Sequence, residues 1–174
     1  MIFNICGKNR TILIYINIFF LFTCSHATTH KQTQIIKIYS KCQSINILTN
    51  TIIFTDQVTL KYKNINLHAD KILISHTQDI HHLSVIEAHG KPAILNQIQE
   101  DTENTIFAQS LMIHYSTYDD TITFIGNVYI EQSGNSIKSD KIIYSIKKKQ
   151  MKAISNQGNK VVTTLLANQF KKYI

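Results

Sequence analysis

Residues 51–75 read TIIFTDQVTLKYKNINLHADKILIS, and residues 121–145 read TITFIGNVYIEQSGNSIKSDKIIYS. The two stretches align without a gap, and both carry Asp-Lys-Ile at the same place, at 70–72 and at 140–142. Both alternate apolar and polar residues, which is the two-residue period of a half-buried β-strand. The repeat predicts β-hairpins stacked side by side, because one such unit alone could not bury its apolar face.

A finer repeat of small-residue triplets runs through the same region. Each triplet precedes an apolar run and is predicted to open a strand; the triplets are 40–42, 69–71, 108–110 and 139–141. Isoleucine, threonine and tyrosine are abundant between them, and these residues suit a pleated, half-buried surface. The predicted fold class is all-β: an antiparallel array built from repeated short strands, with Gly90, Gly126, Gly134 and Gly158 at turns or strand ends.

The amino terminus has the features of an export signal. Lys8 and Arg10 precede the apolar run TILIYINIFFLF at 11–22, which is shorter than the roughly 20 residues that span a bilayer. Ser25-His26-Ala27 then resembles a small-x-small cleavage site. Residues 1–27 are therefore predicted to be a signal peptide, and residues 28–174, which contain no linker, a single domain. The alternative is that the segment is retained as an inner-membrane anchor.

Charge and cysteine content limit the partners. The formal net charge is +7, or +7 − 2 = +5 without Lys8 and Arg10 of the predicted signal, and this excess favours anionic partners such as phosphorylated lipids. The lysines are dispersed and Arg10 is the only arginine, which together with export argues against nucleic acid. Cys42 is the only cysteine beyond the predicted signal, so no intramolecular disulfide is possible. Cys42 is predicted to be a small buried residue or an inert thiol.

An ordered set of motifs resembles a known family. The motifs are IKIYS at 36–40, INLHADK at 65–71, GKPA at 90–93, FIGNV at 124–128 and IKSDKI at 137–142. Spread over residues 35–170, they resemble the LptA (OstA-like) family of periplasmic lipopolysaccharide-export proteins. The resemblance implies a twisted, slightly open β-jellyroll with an apolar interior that holds acyl chains. One departure is Asp56-Gln57, which stands where the family often has Gly-Asn; the second copy keeps Gly126-Asn127.

The resemblance also implies a function and partners. The expected role is a carrier and bridge in the periplasm that shields the acyl chains of lipid A between the inner and outer membranes. The expected partners are lipopolysaccharide, the inner-membrane and outer-membrane jellyroll components of the export machinery, and further copies of this chain arranged head to tail. Residues 35–40 and 160–168 are the predicted docking edges, since an unpaired strand edge accepts another strand. No cofactor is expected.

The candidate lipid-binding residues are apolar residues of the predicted strands. They are Ile36, Ile38, Phe54, Leu95, Tyr115, Phe124 and Ile142. A strand-lined trough would present such side chains at every second position. The same residues could instead form a closed core, because a groove in this fold is the core slightly opened.

Other kinds of site are less well supported. His76, His81, His82 and His89 could bind a metal, but a polar loop explains them as well. Asp70 and Asp140 could form a catalytic pair, but each precedes a lysine at a predicted strand start, and no enzyme is expected. The lysines at 147–149 are predicted to form a solvated turn.

Three alternative functions remain open. One is a membrane-anchored jellyroll component of the same pathway, and another is an envelope adaptor that binds no lipid. The third, a carbohydrate-active jellyroll enzyme, is disfavoured by the absence of tryptophan.

Overall fold

The computed structural model describes residues 35–76, 84–98 and 105–167. The predicted signal peptide, residues 1–27, lies outside them. The described residues form ten β-strands. Their bounds are β1 Ile36–Tyr39, β2 Cys42–Asn46, β3 Thr51–Tyr62, β4 Ile65–His76, β5 Ser84–Ile98, β6 Thr105–Ser116, β7 Thr121–Gln132, β8 Asn135–Ser145, β9 Gln150–Ile154 and β10 Val162–Thr164.

All ten strands belong to one antiparallel sheet with two open edges. Strands β3 to β8 follow one another in sequence order. At one end, β1 and β2 pair with the two halves of β3 and form what we call the first edge. At the other end, β9 and β10 pair with the two halves of β8 and form the last edge. No pairing joins the two edges within the described residues, and the predicted all-β, open antiparallel architecture is confirmed.

A β-bulge interrupts each of the five strand pairs between β3 and β8. The register shifts between Thr55 and Val58, His68 and Lys71, His89 and Ala93, Gln109 and Met112, and Ile125 and Val128. All five lie near mid-strand, and together we call them the bulge line. A bulge bends the strand that carries it and increases its twist. Bulges at one level across six strands therefore curl the sheet and divide each long strand into two halves.

The bulge line corrects the predicted strand starts. The triplets at 69–71, 108–110 and 139–141 lie inside β4, β6 and β8, and do not open them. Their small residues are needed at the bulges. Ser110 is fully buried and donates a hydrogen bond to the carbonyl of Met112 at 2.8 Å. Ser139 does the same to Lys141 at 3.1 Å, so each hydroxyl satisfies a carbonyl beside the interrupted ladder.

The predicted positions of the glycines are half right. Gly134 and Gly158 lie in turns, as expected. Gly90 and Gly126 lie instead inside β5 and β7, at the bulge line.

Asp56 occupies a backbone conformation that its counterpart reaches more easily. Asp56 has a φ of 65°, and Gly126, at the same place in the second copy, has a φ of 80°. The left-handed region costs a residue with a Cβ atom roughly 1–2 kcal/mol, less for aspartate. We expect Asp56→Gly to raise the free energy of unfolding by up to about 1 kcal/mol, measured by urea denaturation.

The matched control for that substitution is Asp70→Gly. Asp70 is also an exposed aspartate next to a bulge, but its φ is not positive. Glycine there should lower stability by about 0.5–1 kcal/mol, since it only adds freedom to the unfolded chain. A gain at both positions would contradict the assignment of strain to Asp56.

The buried hydrophobic side chains all lie on one face of the sheet, which we call the inner face. They are Phe54, Val58, Leu60, Leu67, Ala69, Ile72, Ala88, Ala93, Ala108, Ile113, Phe124, Val128, Ile130 and Ile142. Ile72 and Ile142, which occupy equivalent places in the two copies of the repeat, are both 0% exposed. The curl of the sheet thus packs its inner face against itself.

Candidate functional site

Two apolar rows cross the inner face side by side on one flank of the bulge line. Paired residues of adjacent strands point to the same face, so each row can be followed from strand to strand. The row nearer the bulges runs Gln43, Phe54, Ile72, Ala88, Ile113, Phe124, Ile142 and Ala153. The outer row runs Ile45, Ile52, Ile74, Ile86, Tyr115, Ile122, Tyr144 and Met151. The outer row is apolar or aromatic at every position from the first edge to the last.

Two further rows cross the other flank. The row nearer the bulges runs Ile38, Leu60, Leu67, Leu95, Ala108, Ile130, Ile137 and Thr163. The outer row starts with Ile36, Tyr62 and Ile65 and becomes more polar toward β8, where it ends at Asn135. Both flanks therefore offer a lining of hydrocarbon between two open edges.

The sequence-predicted lining residues all belong to these four rows. Phe54, Phe124 and Ile142 share one row and are buried. Ile38 and Leu95 share a row on the other flank and pack against the core while remaining partly exposed. Contact of these residues with lipid stays a prediction.

The other two candidates lie nearer the solvent. Ile36 is 48% exposed at the first edge. Tyr115 is partly buried, and its hydroxyl donates a hydrogen bond to Asp120 Oδ1 at 3.1 Å. Burial and this hydrogen bond both raise the pKa of the Tyr115 phenol, which therefore stays neutral at physiological pH.

The predicted lining residues do not include the small residues at the centre of the inner face. Ala88, Ala93 and Ala108 are at most 1% exposed and lie on the two central strands, β5 and β6. Their short side chains let the curled sheet pack closely there. The predicted lining residues also omit Ile72, although its relation to Ile142 through the repeat would have identified it.

Exposed apolar side chains concentrate at the two edges. At the first edge they are Ile36, Tyr39, Ile45, Ile47 and Leu48. At the last edge they are Ile146, Met151, Val161, Val162, Leu165 and Leu166. The predicted edges, 35–40 and 160–168, include β1 and β10 but omit β2 and β9; residue 168 lies outside the described residues. Exposed apolar patches are typical of protein–protein and membrane interaction sites and of ligand-binding grooves.

The histidines form a small network with one carboxylate. Glu87 Oε1 lies 3.2 Å from His114 Nδ1, and Glu87 Oε2 lies 3.5 Å from His89 Nε2. His76 Nδ1 lies 2.7 Å from Ser84 Oγ, whereas His81 and His82 lie outside the described residues. Across residues 35–76, 84–98 and 105–167, no group of three or more His, Cys, Asp or Glu is arranged to hold a metal ion.

Asp140 has a structural task that the sequence did not reveal. It accepts hydrogen bonds from the Asn156 amide at 2.7 Å and from Asn159 Nδ2 at 3.0 Å. The Asn156 hydrogen bond, followed by that of Asn159, lowers the pKa of the Asp140 carboxyl, which stays ionised. Asp140 thus ties the segment between β9 and β10 to the middle of β8.

Two smaller predictions have opposite outcomes. The lysines at 147–149 are exposed in a turn, as predicted. Cys42 is exposed, because β2 is an edge strand; this excludes the buried alternative, whereas the inert thiol stays a prediction.

Comparison with known proteins agrees with this architecture. The family model of the LptA/(LptD N-terminal domain) LPS transport protein matches residues 37–150. The lipopolysaccharide export system protein LptA of Escherichia coli K12 is 32% identical over 145 residues, covering 83% of this chain and 78% of the relative. The protein of the same name from Haemophilus influenzae is 28% identical over 140 residues, covering 80% of this chain and 81% of the relative.

A solved structure has the same fold. LptH, the LptA-homologous periplasmic component of the lipopolysaccharide transport device of Pseudomonas aeruginosa, matches with a TM-score of 0.67. It is 18% identical, and the match covers 76% of this chain and 96% of that one. Within the part of the chain that the structure describes, no helix is long and apolar enough to cross a membrane. By the match to the family model and to LptA of E. coli, the chain belongs to the LptA/(LptD N-terminal domain) family of LPS transport proteins.

Proposed function

We propose that this protein is a periplasmic lipopolysaccharide carrier that shields the acyl chains of lipid A during transfer from the inner to the outer membrane. The observation that carries the proposal is the outer apolar row, which continues from Ile45 at one open edge to Met151 at the other. The names of the E. coli and H. influenzae relatives, both lipopolysaccharide export system proteins, support it.

The physical need for such a carrier follows from the hydrophobic effect. Exposing one buried CH₂ group to water costs about 0.8 kcal/mol, so a lipid with several acyl chains crosses an aqueous space only when they are covered. An open sheet has a side through which acyl chains can enter while the sugars stay in water. Ile36, Ile38, Phe54, Leu95, Tyr115, Phe124 and Ile142 are the proposed contacts.

The two edges suit assembly into a bridge. Among the described residues, β1 and β2 have no further strand on one side of the sheet, and β9 and β10 have none on the other. A contact between the first edge of one copy and the last edge of another is heterologous, so it repeats without closing. The same edges would receive the inner-membrane and outer-membrane jellyroll components. In such a row, the inner faces of successive copies would adjoin.

Lipid binding is tested with a matched pair of leucines. Leu95 is a partly exposed inner-face residue, whereas Leu111 is 46% exposed at the bulge line and outside the core. We expect the purified secreted protein to bind lipid A saturably, and Leu95→Asp to weaken binding at least tenfold, because a carboxylate would meet the acyl chains. Leu111→Asp should bind like the wild type in the same fluorescence titration.

Circular dichroism of each variant shows whether the sheet has formed. A folded wild type that binds no lipid A would remove the carrier proposal and leave an envelope adaptor. The mass of the secreted protein separates a carrier cleaved after Ala27 from a component that keeps residues 1–27 as an anchor.

Assembly is tested with the single exposed cysteine of the sheet. Cys42 lies on the first edge and Val162 on the last edge. Cross-linking of Val162→Cys with a short bifunctional thiol reagent should produce a ladder of covalent oligomers, because each copy then has a thiol at both edges. Thr59→Cys, in the interior strand β3, should give no more than the dimers formed by the wild type. A ladder of equal length from Thr59→Cys would contradict head-to-tail pairing.

A further inference from the structure

A second concave site lies away from the inner face. A cleft of about 580 Å³ opens where β6, β7 and β8 pass the segment that joins β9 to β10. We call it the β8 cleft; its lining includes Phe107, Gln109, Tyr129, Lys138, Asn159 and Lys160. Gln109, Tyr129 and Lys138 are paired across neighbouring strands in a row adjacent to an inner-face row, and therefore point outward. Most of the cleft thus lies on the face opposite the proposed lipid path, and the inner-face residue Val128 lines it only where β7 crosses the bulge line.

Aromatic rings and a cation form one side of the cleft. The centroids of Phe107 and Tyr129 are 6.2 Å apart, with the rings tilted by 60°. Lys138 Nζ lies 5.5 Å from the centre of the Tyr129 ring, a cation–π distance. The Tyr129 hydroxyl is held by Glu131 Oε2 at 2.7 Å, which fixes the ring. A fixed aromatic ring offers a flat surface on which the C–H groups of a sugar ring can pack.

The opposite wall is held in place by Asp140. Its hydrogen bonds to the Asn156 amide and Asn159 Nδ2 fix the segment that closes the cleft. Ser155 also lines the cleft, and its hydroxyl is buried with no hydrogen-bond partner among the described residues. A buried polar group without a partner is costly. A ligand oxygen that reached the Ser155 hydroxyl would remove this cost.

The charges in the cleft favour an anion. Lys138 and Lys160 both line it, and neither forms an ion pair within residues 35–76, 84–98 and 105–167. Asp140 also lines the cleft, stays ionised and offsets one of these two positive charges. Two lysines therefore present positive charge that is only partly offset.

We propose that the β8 cleft binds a phosphorylated saccharide. The rings of Tyr129 and Phe107 would pack against the sugar, and Lys138 and Lys160 would contact the phosphate. Ser155 and the side-chain amides of Gln109 and Asn159 would bind the sugar hydroxyls. The volume lies in the range of roughly 300–1,000 Å³ that is typical of small-molecule sites, and exceeds what a lone phosphate needs. The proposal does not rest on lipid carriage, because the side chains assigned to the ligand are not among the proposed acyl-chain contacts. The sugar part of a lipopolysaccharide and a free phosphorylated glycan share this chemistry.

The test is an NMR titration of the intact secreted protein with a delipidated, phosphorylated core oligosaccharide. We expect the amide signals of Tyr129, Lys138 and residues 155–160 to shift saturably. Lys138→Gln combined with Lys160→Gln should weaken binding at least tenfold, and so should enzymatic removal of the phosphates. Tyr129→Leu should weaken the binding of the oligosaccharide but leave the weak binding of inorganic phosphate unchanged.

A matched control exists at the first edge. Lys61 Nζ lies 6.0 Å from the ring of Tyr39, a similar pair that does not line the cleft. Lys61→Gln should leave oligosaccharide binding unchanged. Equal weakening of oligosaccharide binding by Lys61→Gln would show that only the overall charge matters, and would overturn the proposal. Two other results would also overturn it: inorganic phosphate that competes as tightly as the oligosaccharide, and NMR signal shifts confined to residues outside the cleft.

The same titration distinguishes the two possible sources of the saccharide, and it separates the cleft proposal from the proposal of lipid carriage. Displacement of the oligosaccharide by intact lipopolysaccharide assigns the cleft to the sugar part of the transported lipid, whereas displacement only by free phosphorylated glycan assigns it to a separate ligand; both outcomes support the cleft as a saccharide site. The oligosaccharide has no acyl chains and does not report on the inner face. Lipid A binding measured in parallel can therefore fail while the cleft proposal stands, or the reverse.

Discussion

Replacing Gly90 with alanine is expected to lower the free energy of unfolding by about 3 kcal/mol. Gly90 is buried in the bulge of β5. A Cβ atom there would lie 2.5 Å from the amide nitrogen of Ala93 and 2.7 Å from the carbonyl carbon and oxygen of Pro92. These are backbone atoms of the same bulge, so no side chain can move aside. Only a shift of β5 relative to its neighbours would make room for the methyl group.

Gly158→Ala is the control for this prediction. Gly158 has a φ of 94°, but a Cβ atom there would meet nothing within 4 Å. Alanine at 158 should therefore cost only the backbone strain, roughly 1–2 kcal/mol. Urea denaturation followed by far-ultraviolet circular dichroism measures both. Equal losses at the two positions would show that steric contact in the β5 bulge is not what requires glycine at 90.

Shortening Ile142 to alanine is expected to cost about 3–4 kcal/mol. Ile142 is 0% exposed, in the row that also contains Phe54 and Phe124. Truncation removes buried methyl and methylene groups and leaves a cavity that the curled sheet fills only in part. Ile72→Ala should cost a similar amount, since Ile72 is its counterpart in the repeat and equally buried.

The contrast is Ile45→Ala at the first edge. Ile45 is 61% exposed, so its truncation should change stability by less than about 0.5 kcal/mol. Denaturation with and without lipid A adds a functional readout. A ligand that binds only the folded protein, present at about 100 times its dissociation constant, should raise the stability of the Ile142→Ala variant by about 2.7 kcal/mol. A small loss for Ile142→Ala would mean that the inner face is not packed at this row.

The repeat made much of the inner face predictable. The alternation in 51–75 and 121–145 is local, and it identifies Phe54, Phe124 and Ile142 as same-side residues whatever the strand order is. The small residues Ala88 and Ala108 were harder to place, because their importance depends on the close packing of β5 and β6.

The bulge line was not predictable in the same way. A bulge places two residues of one strand opposite one of its neighbour, so it depends on pairing and not on local composition. Gly126-Asn127 carries a local sign of it, but Asp56-Gln57 adopts the same positive φ angles without glycine. Local composition therefore predicts a strand start at each triplet, which is right at 40–42, where β2 begins, and wrong at 69–71, 108–110 and 139–141, which lie at bulges.

The β8 cleft was invisible to sequence reasoning for a related reason. One wall comes from the paired strands β6, β7 and β8, and the other is the segment at 155–160, which Asp140 holds through Asn156 and Asn159. Asp140 itself was noticed as part of the repeat, but Asp70 has no equivalent contact with Asn156 or Asn159. The repeat therefore hid the difference between the two aspartates.

The alignment of the bulges has a mechanical consequence. Regular ladders of hydrogen bonds resist bending, and at the bulge line those ladders are interrupted in all five central strand pairs at one level. The sheet is accordingly most compliant along this single line and stiffer on both flanks. The interior can then open and close by a hinge motion about the bulge line, while the strands of each flank keep their pairing register. A container that widens in this way adapts to cargo of different bulk without giving up the strand pairing that holds it together.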